Sequence, residues 1–559
     1  MRKTSISLRD WHFYILIILA AAITYGKTVE YQFTYVDDVD LVLANQDVLG
    51  SISNIPRLFQ SDAFLSTTNP QLFYRPLLSL LFMLETLIMK GSPFIFHLTN
   101  ILLHIVCSIL ILRILRLVGS STLVAGIAGL LFCVHPLNSS AVAWIPGCND
   151  LLLAVFVLSS FLFLVKALDA QKSGPLVWHS VLFFLALLTK ESAIVLPILT
   201  ISYVLLFHPD ILKKTVWTFA GLAYVLPIVA WFILRSRVPQ TFTVHLKSDF
   251  FLMSSLSNLP GLFLYVGKIF LPFNLSVFPN LGDHSIVPGI ICSVLFLAVC
   301  LVWKDESTWK ILWGIGWFLM FLLPAFVANF ILFEHRAYTA LFGFLFALTQ
   351  LPFVKTMSLS KRAHVIVALV IIGGAALVSI FHSEQYRDRA AYATSAYLAD
   401  PSVDNSYVNF ALLFVAEGKD EDAEHLLRKG LERNQAMNGA HKILGDILAR
   451  RQDYTEAAKQ YDISLRLNPL QLNTYITYGK MCLDAGRIDD ASRLWRTSVA
   501  INPNFILGYY YLANFYIRVR DYPDSASMYV EQIQRRGEKV LPELLQAIQE
   551  DRMRTEGRH

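Results

Sequence analysis

The 559-residue chain is 55% hydrophobic and only 16% charged, with a formal net charge of +5. That balance excludes an ordinary soluble domain, and a charge so mild, with no basic stripe, excludes a nucleic-acid binder. The six cysteines are isolated or sit in apolar runs, which excludes a disulfide framework and a Cys-x-x-Cys zinc site.

The first apolar run, 11–26, follows Arg2, Lys3 and Arg9, and no clear small-residue cleavage site comes after it. It is expected to remain as a signal anchor with its basic end in the cytoplasm. Runs 286–303, 311–333 and 364–381 are long enough to cross a hydrocarbon core of about 30 Å. Placing the basic positions Arg113/Arg116, Lys166/Lys172, Lys213/Lys214, Lys304 and Lys355/Lys361/Arg362 inside gives an alternation of about eleven spans. The stretches 72–89 and 256–271 are left over and are expected to lie parallel to the membrane or re-enter it on the outer side.

Polar composition takes over near Ser383. The expected division is a multi-span domain over 1–382, with an outer-face loop at 28–92, and a separate domain over 383–559. The outer face then collects Asp37, Asp38, Arg75, His135, Asp150, Lys190, Glu191, Glu334, His335 and Arg336, together with the polar tail.

Adjacent carboxylates in Tyr35-Val36-Asp37-Asp38-Val39-Asp40, just past the first span, are costly to desolvate and suggest chemistry at the bilayer surface. Four further clusters follow. They are Tyr74-Arg75-Pro76-Leu77 with Phe96-His97-Leu98-Thr99-Asn100 and Leu102-Leu103-His104; His135-Pro136 with Ala141-Val142-Ala143-Trp144-Ile145 and Asp150; Leu187-Leu188-Thr189-Lys190-Glu191; and Glu334-His335-Arg336-Ala337-Tyr338 after Pro324 and Asn329. Taken singly, each reads equally well as interhelix contacts, a local ion pair or snorkelling side chains.

The tail repeats every thirty-four residues. Ala423, Ala457 and Ala491 are evenly spaced, with Ser525 in the next slot; Pro469 and Pro503 keep the same interval. Gly445 and Gly479, joined by Ala411 and Ala513, share a second phase, and Leu427, Tyr461, Trp495 and Tyr529 a third. Small residues where paired helices touch, an aromatic wedge and a terminating proline make the tetratricopeptide pattern, with about four repeats and a capping segment after Arg535. Such a stack offers a groove for a peptide or protein, and serves equally as a packing module.

In this order the motifs resemble the TMTC family, the transmembrane and tetratricopeptide-repeat O-mannosyltransferases, and their bacterial relatives in the GT-C glycosyltransferase class. Two positions depart from the family pattern: Ser140 stands where relatives usually carry glutamate, and Cys148-Asn149 replaces an arginine-containing pair before Asp150. The resemblance implies an all-α fold, a polytopic GT-C membrane domain followed by a tetratricopeptide-repeat α-solenoid. It implies an inverting transfer of mannose or another hexose from a polyprenyl-phosphate donor to a hydroxyl of a protein or peptide acceptor on the outer face. The location implied is the bacterial inner membrane with periplasmic repeats, or the endoplasmic reticulum with lumenal repeats.

For that chemistry Asp38 is the favoured base, with Asp37 holding the acceptor or a metal ion. Arg75, His135, Asp150, Lys190, Glu191, Glu334, His335, Arg336 and Tyr338 are the expected substrate-binding residues, the cations facing the departing phosphate. Asp37 and Asp38 with donor phosphate oxygens would suit Mg²⁺ or Mn²⁺, although nothing in the sequence requires an ion. A non-catalytic repeat scaffold anchored in the membrane, or a transporter, stays open as a different class of function.

Overall fold

The computed structural model describes residues 9–65, 73–209, 214–238, 255–302, 307–328, 331–358, 362–519, 522–536 and 540–556, and every regular element among them is a helix. Arg2, Lys3, Leu72, Lys213, Lys304, Asn329 and Lys361 lie outside these described residues. The chain forms two compact units that divide between Val403 and Asp404.

In the first unit, helices Asp10–Glu30, Pro93–Leu117, Ile145–Ala170, Thr308–Phe326 and Arg362–Tyr386 are long and apolar enough to cross a membrane. Helices Thr122–Val134 and Pro136–Ala143 make a sixth crossing if the pair, bent by 48°, is one span. The bend falls at Pro136, which opens its helix where it has no N–H to lose. Among the described residues this is fewer than the expected eleven, because 174–189, 191–207 and 287–302 form helices of only 10–17 residues. Lys190 divides the first two: its extended backbone (φ −157°, ψ 136°) ends one helix before the next begins. Pro76–Met89 has fourteen residues and Gly261–Phe270 ten, each shorter than the ~30 Å hydrocarbon core at about 1.5 Å per residue.

The boundary expected at 382/383 moves to 403/404. Composition marks where polarity rises, but the first polar helix, Arg389–Ala399, still packs on the first unit. Its Tyr392 and Ala396 are buried with Tyr31, Ala143, Trp144, Val277 and Phe278. Asp400, fully buried, accepts from Ser276 Oγ (3.0 Å), the Phe278 N–H (3.2 Å) and His284 Nε2 (2.8 Å).

The second unit holds four helix pairs, beginning with Asp404–Ala416 and Asp420–Arg433 and ending with Ile506–Arg518 and Pro523–Arg535. Ala423, Ala457 and Ala491 are completely buried. The glycine and aromatic phases meet: a Cβ on Gly445 would lie 2.9 Å from the Tyr461 ring, and one on Gly479 would lie 2.3 Å from Trp495 Nε1. Gly479→Ala should therefore force Trp495 out of place at a cost of about 1–3 kcal/mol. Limited proteolysis across a temperature ramp would show the repeats cut at lower temperature.

The last repeat slips by one residue. Its second helix starts at Pro523, thirty-five residues after Ile488 starts the preceding one. Ala526 and Val530, not Ser525 and Tyr529, fill the small and wedge positions. The expected cap is helix Pro542–Glu556, whose Leu544 and Ile548 bury against Ala513, Ile517 and Val530.

Candidate functional site

Tyr35 holds φ +60°, a left-handed turn costly for an aromatic residue, and it sets Asp37 and Asp38 at the start of the short helix Asp37–Leu41. The two carboxylates then diverge. Asp38 is wholly buried; its Oδ2 accepts from the Thr34 N–H (2.5 Å) and Thr34 Oγ1 (2.9 Å), and Trp144 Nε1 donates to that same Oγ1 at 3.1 Å. Burial pushes the Asp38 carboxyl upward against the pull of those hydrogen bonds. Asp37 is half-buried. Burial, then Asp38 and Asp40, push it up to about 6, while Arg75 and Arg336 pull the other way.

Arg75 precedes Pro76, the first residue of helix Pro76–Met89. Its Nε donates to Glu191 Oε2 at 3.3 Å, and Glu191 Oε1 accepts the Tyr74 N–H at 2.9 Å, so one carboxylate fixes both backbone and guanidinium. With its amide oriented to satisfy both neighbours, Asn149 accepts from Arg75 Nη1 at 2.9 Å and donates to the Thr189 carbonyl at 3.1 Å. Lys190 Nζ donates to Asp150 Oδ1 at 2.6 Å, with side chains 16% and 5% exposed. Burial lowers the lysine and Asp150 opposes it.

Arg336 has no carboxylate within ion-pair distance among the described residues. Its Nη1 donates to the Ala325 carbonyl at 3.2 Å, and its field reaches Asp37, Lys190 and His335. His335 stacks on Phe333 and lies 5.4 Å from the Trp144 ring. It is pushed down to about 3 by burial, with Lys190, Arg336 and Arg75 adding to the effect, so it is neutral at physiological pH. Asp37, Arg75, Asp150, Lys190, Glu191, His335 and Arg336 therefore form one coupled cluster.

Three expected residues point elsewhere. His135 donates from Nε2 to the Ile269 carbonyl (3.0 Å) and accepts the Leu137 N–H at Nδ1 (3.2 Å), which stabilises the bend at Pro136. Tyr338 pairs with His104 Nδ1 at 2.6 Å in the apolar core. Glu334 turns inward to Lys268, Ser276 and His382. Thr34 and Lys268 were not anticipated. A lysine inside the apolar run 261–270 was the available signal, since an ionisable group in such a run needs a partner.

Residues 70–233 match the family model for dolichyl-phosphate-mannose-protein mannosyltransferase, and residues 408–471 match the tetratricopeptide repeat. Protein O-mannosyl-transferase TMTC3 of Mus musculus is 34% identical over 185 residues, covering 32% of this chain and 20% of that relative. Tmtc2 of Drosophila melanogaster is 35% identical over 184 residues, covering 31% of this chain and 19% of that relative. The chain is similar to the TMTC O-mannosyl-transferases. The matched stretch spans only a small part of those TMTC proteins' length. The mannosyltransferase match takes in Arg75, His135, Asp150, Lys190 and Glu191, and leaves Asp37, Asp38 and the segment 334–338 outside it. The crystal structure of yeast Tom70 is 13% identical, covering 78% of this chain and 92% of that chain with a TM-score of 0.27.

Proposed function

We propose that the chain is an integral membrane glycosyltransferase that moves a hexose such as mannose from a polyprenyl-phosphate donor to a protein hydroxyl on the outer face of the membrane. The observation that carries this reading is that a half-buried carboxylate, Asp37, lies in the field of Arg75 and Arg336, and that Lys190 lies in the field of the same two arginines. Lys190 and Arg75 already hold Asp150 and Glu191, while Arg336 has no such partner. Arg336 is therefore the cation left to grip a phosphate oxygen directly.

In the proposed step the acceptor oxygen attacks the anomeric carbon as its proton passes to Asp37. The bond from that carbon to the phosphate oxygen breaks, and polyprenyl phosphate leaves with its charge stabilised by Arg75, Lys190 and Arg336. A single displacement inverts the anomeric configuration. Asp37 takes the role of base in this reading because it faces the cations, whereas one Asp38 oxygen is held by Thr34. Among the described residues no group of three His, Cys, Asp or Glu side chains converges, so a divalent ion at this site would be held by Asp37 and Asp38 together with donor phosphate oxygens and would supply further charge for the departing phosphate. The repeats present the acceptor.

Purified protein in liposomes should transfer labelled hexose from polyprenyl phosphate to peptide hydroxyls, giving the inverted anomer, and should not use a nucleotide-linked sugar. Failure with every lipid-phosphate hexose would favour the anchored scaffold. Cys482 is buried and unsuited to topology labelling. A cysteine at exposed Glu432 (Glu432→Cys) should react only with reagent on the outer side.

A further inference from the structure

A second charged network, with no hydrogen bond or ion pair to the cluster's side chains among the described residues, centres on Glu334. Glu334 (0% exposed) accepts from Lys268 Nζ (3% exposed) at 2.7 Å and from the Ser276 N–H at 3.0 Å, both at Oε1. Its other oxygen makes no hydrogen bond among the described residues and lies 3.5 Å from His382 Nε2, which has no hydrogen-bond partner there either. His382 Nδ1 in turn meets Ser139 Oγ at 2.5 Å, and that hydroxyl donates to the Pro136 carbonyl. The Glu334 carboxylate thus ties helix Gly261–Phe270 to the loop at Ser276, while His382 and Ser139 tie the long helix Arg362–Ser383 to the bend at Pro136.

Glu334 also opens the single turn Glu334–Ala337 that carries His335 and Arg336. Successive side chains on a 3₁₀ turn leave about 120° apart, so anchoring Glu334 inward fixes where its neighbours point. Arg336 itself donates to the Ala325 and Ile331 carbonyls and lies over the Phe333 ring, with no ion pair among the described residues to orient it. A fully buried ion pair at this place is a costly way to gain stability, since an apolar pair of similar volume generally does as well.

We propose that Glu334, held by Lys268 and the Ser276 N–H, is the positioning residue that aims Arg336 at the donor phosphate. The inference rests on the glycosyltransferase reading above. It removes Glu334 from the substrate-binding set and makes it act through Arg336.

The test is a double-mutant cycle on reconstituted full-length protein, reading kcat/KM for the polyprenyl-phosphate hexose. Glu334→Gln should lower it by about ten- to a hundredfold. Arg336→Ala should lower it at least as far, and the combined variant should fall no further than Arg336→Ala alone. A multiplicative loss in the combined variant overturns the proposal. If Glu334→Gln does not fold, the apolar pair Lys268→Met/Glu334→Leu takes its place. It should fold, remain impaired and show the same lack of additivity with Arg336→Ala, and wild-type activity in that pair assigns Glu334 to stability alone. Wild-type transfer by Arg336→Ala would remove that residue's phosphate role and this inference with it, whereas additivity would sink only the positioning.

Discussion

Asp37→Asn should reduce sugar transfer by about 10²–10⁴-fold while leaving the protein folded and inserted, because a carboxamide cannot take the acceptor proton. The wild-type pH profile carries the sign. Asp37 is pushed up to about 6, chiefly by burial and then by its neighbours Asp38 and Asp40. A base works only when ionised, so the rate should be flat above that pH and fall about tenfold per unit below it. Asp38→Asn should cost less, since a carboxamide oxygen can still accept from Thr34. Steady-state transfer rates from pH 5 to 8 for the three proteins check this, and equal losses in the two variants would contradict it.

Lys190→Met should produce two separable defects. Asp150, 5% exposed, would lose its 2.6 Å partner, and breaking a buried pair costs about 3–5 kcal/mol. Removing a cation from the departing phosphate should also slow transfer by about 10²–10³-fold. Asp150→Asn combined with Lys190→Met removes the stranded charge. The combined variant should regain thermal stability, followed by the temperature of detergent-phase aggregation, without regaining transfer. Recovery of both would make Lys190 a structural cation only.

Much of the repeat unit was legible because its contacts are local and periodic. Ala457 and Ala491 occupy equivalent buried positions, and Gly479 faces Trp495 sixteen residues later along the chain. The slip to Ala526 was not legible from a fixed period, since one additional residue between helices changes the phase without changing composition. Packing also overrode composition at the domain boundary, where Tyr392 and Ala396 give a polar-looking helix a buried face.

The site divides in the same way. Asp37, Arg75, Lys190 and Arg336 carried their meaning in their charge and order along the chain. The direction of each side chain did not. Glu334 and Arg336 are two residues apart and face different networks, and Lys268, hidden in an apolar run, decides which way Glu334 turns. Likewise Asp37 and Asp38 are equivalent in sequence, and the Thr34–Trp144 hydrogen bonds separate them.

The most direct measurement is a structure with a polyprenyl-phosphate hexose bound. The phosphate is expected among Arg75, Lys190 and Arg336, with Asp37 within hydrogen-bond reach of the face from which the acceptor attacks the anomeric carbon. A phosphate bound away from those cations, or Asp38 facing the sugar with Asp37 turned away, would contradict it.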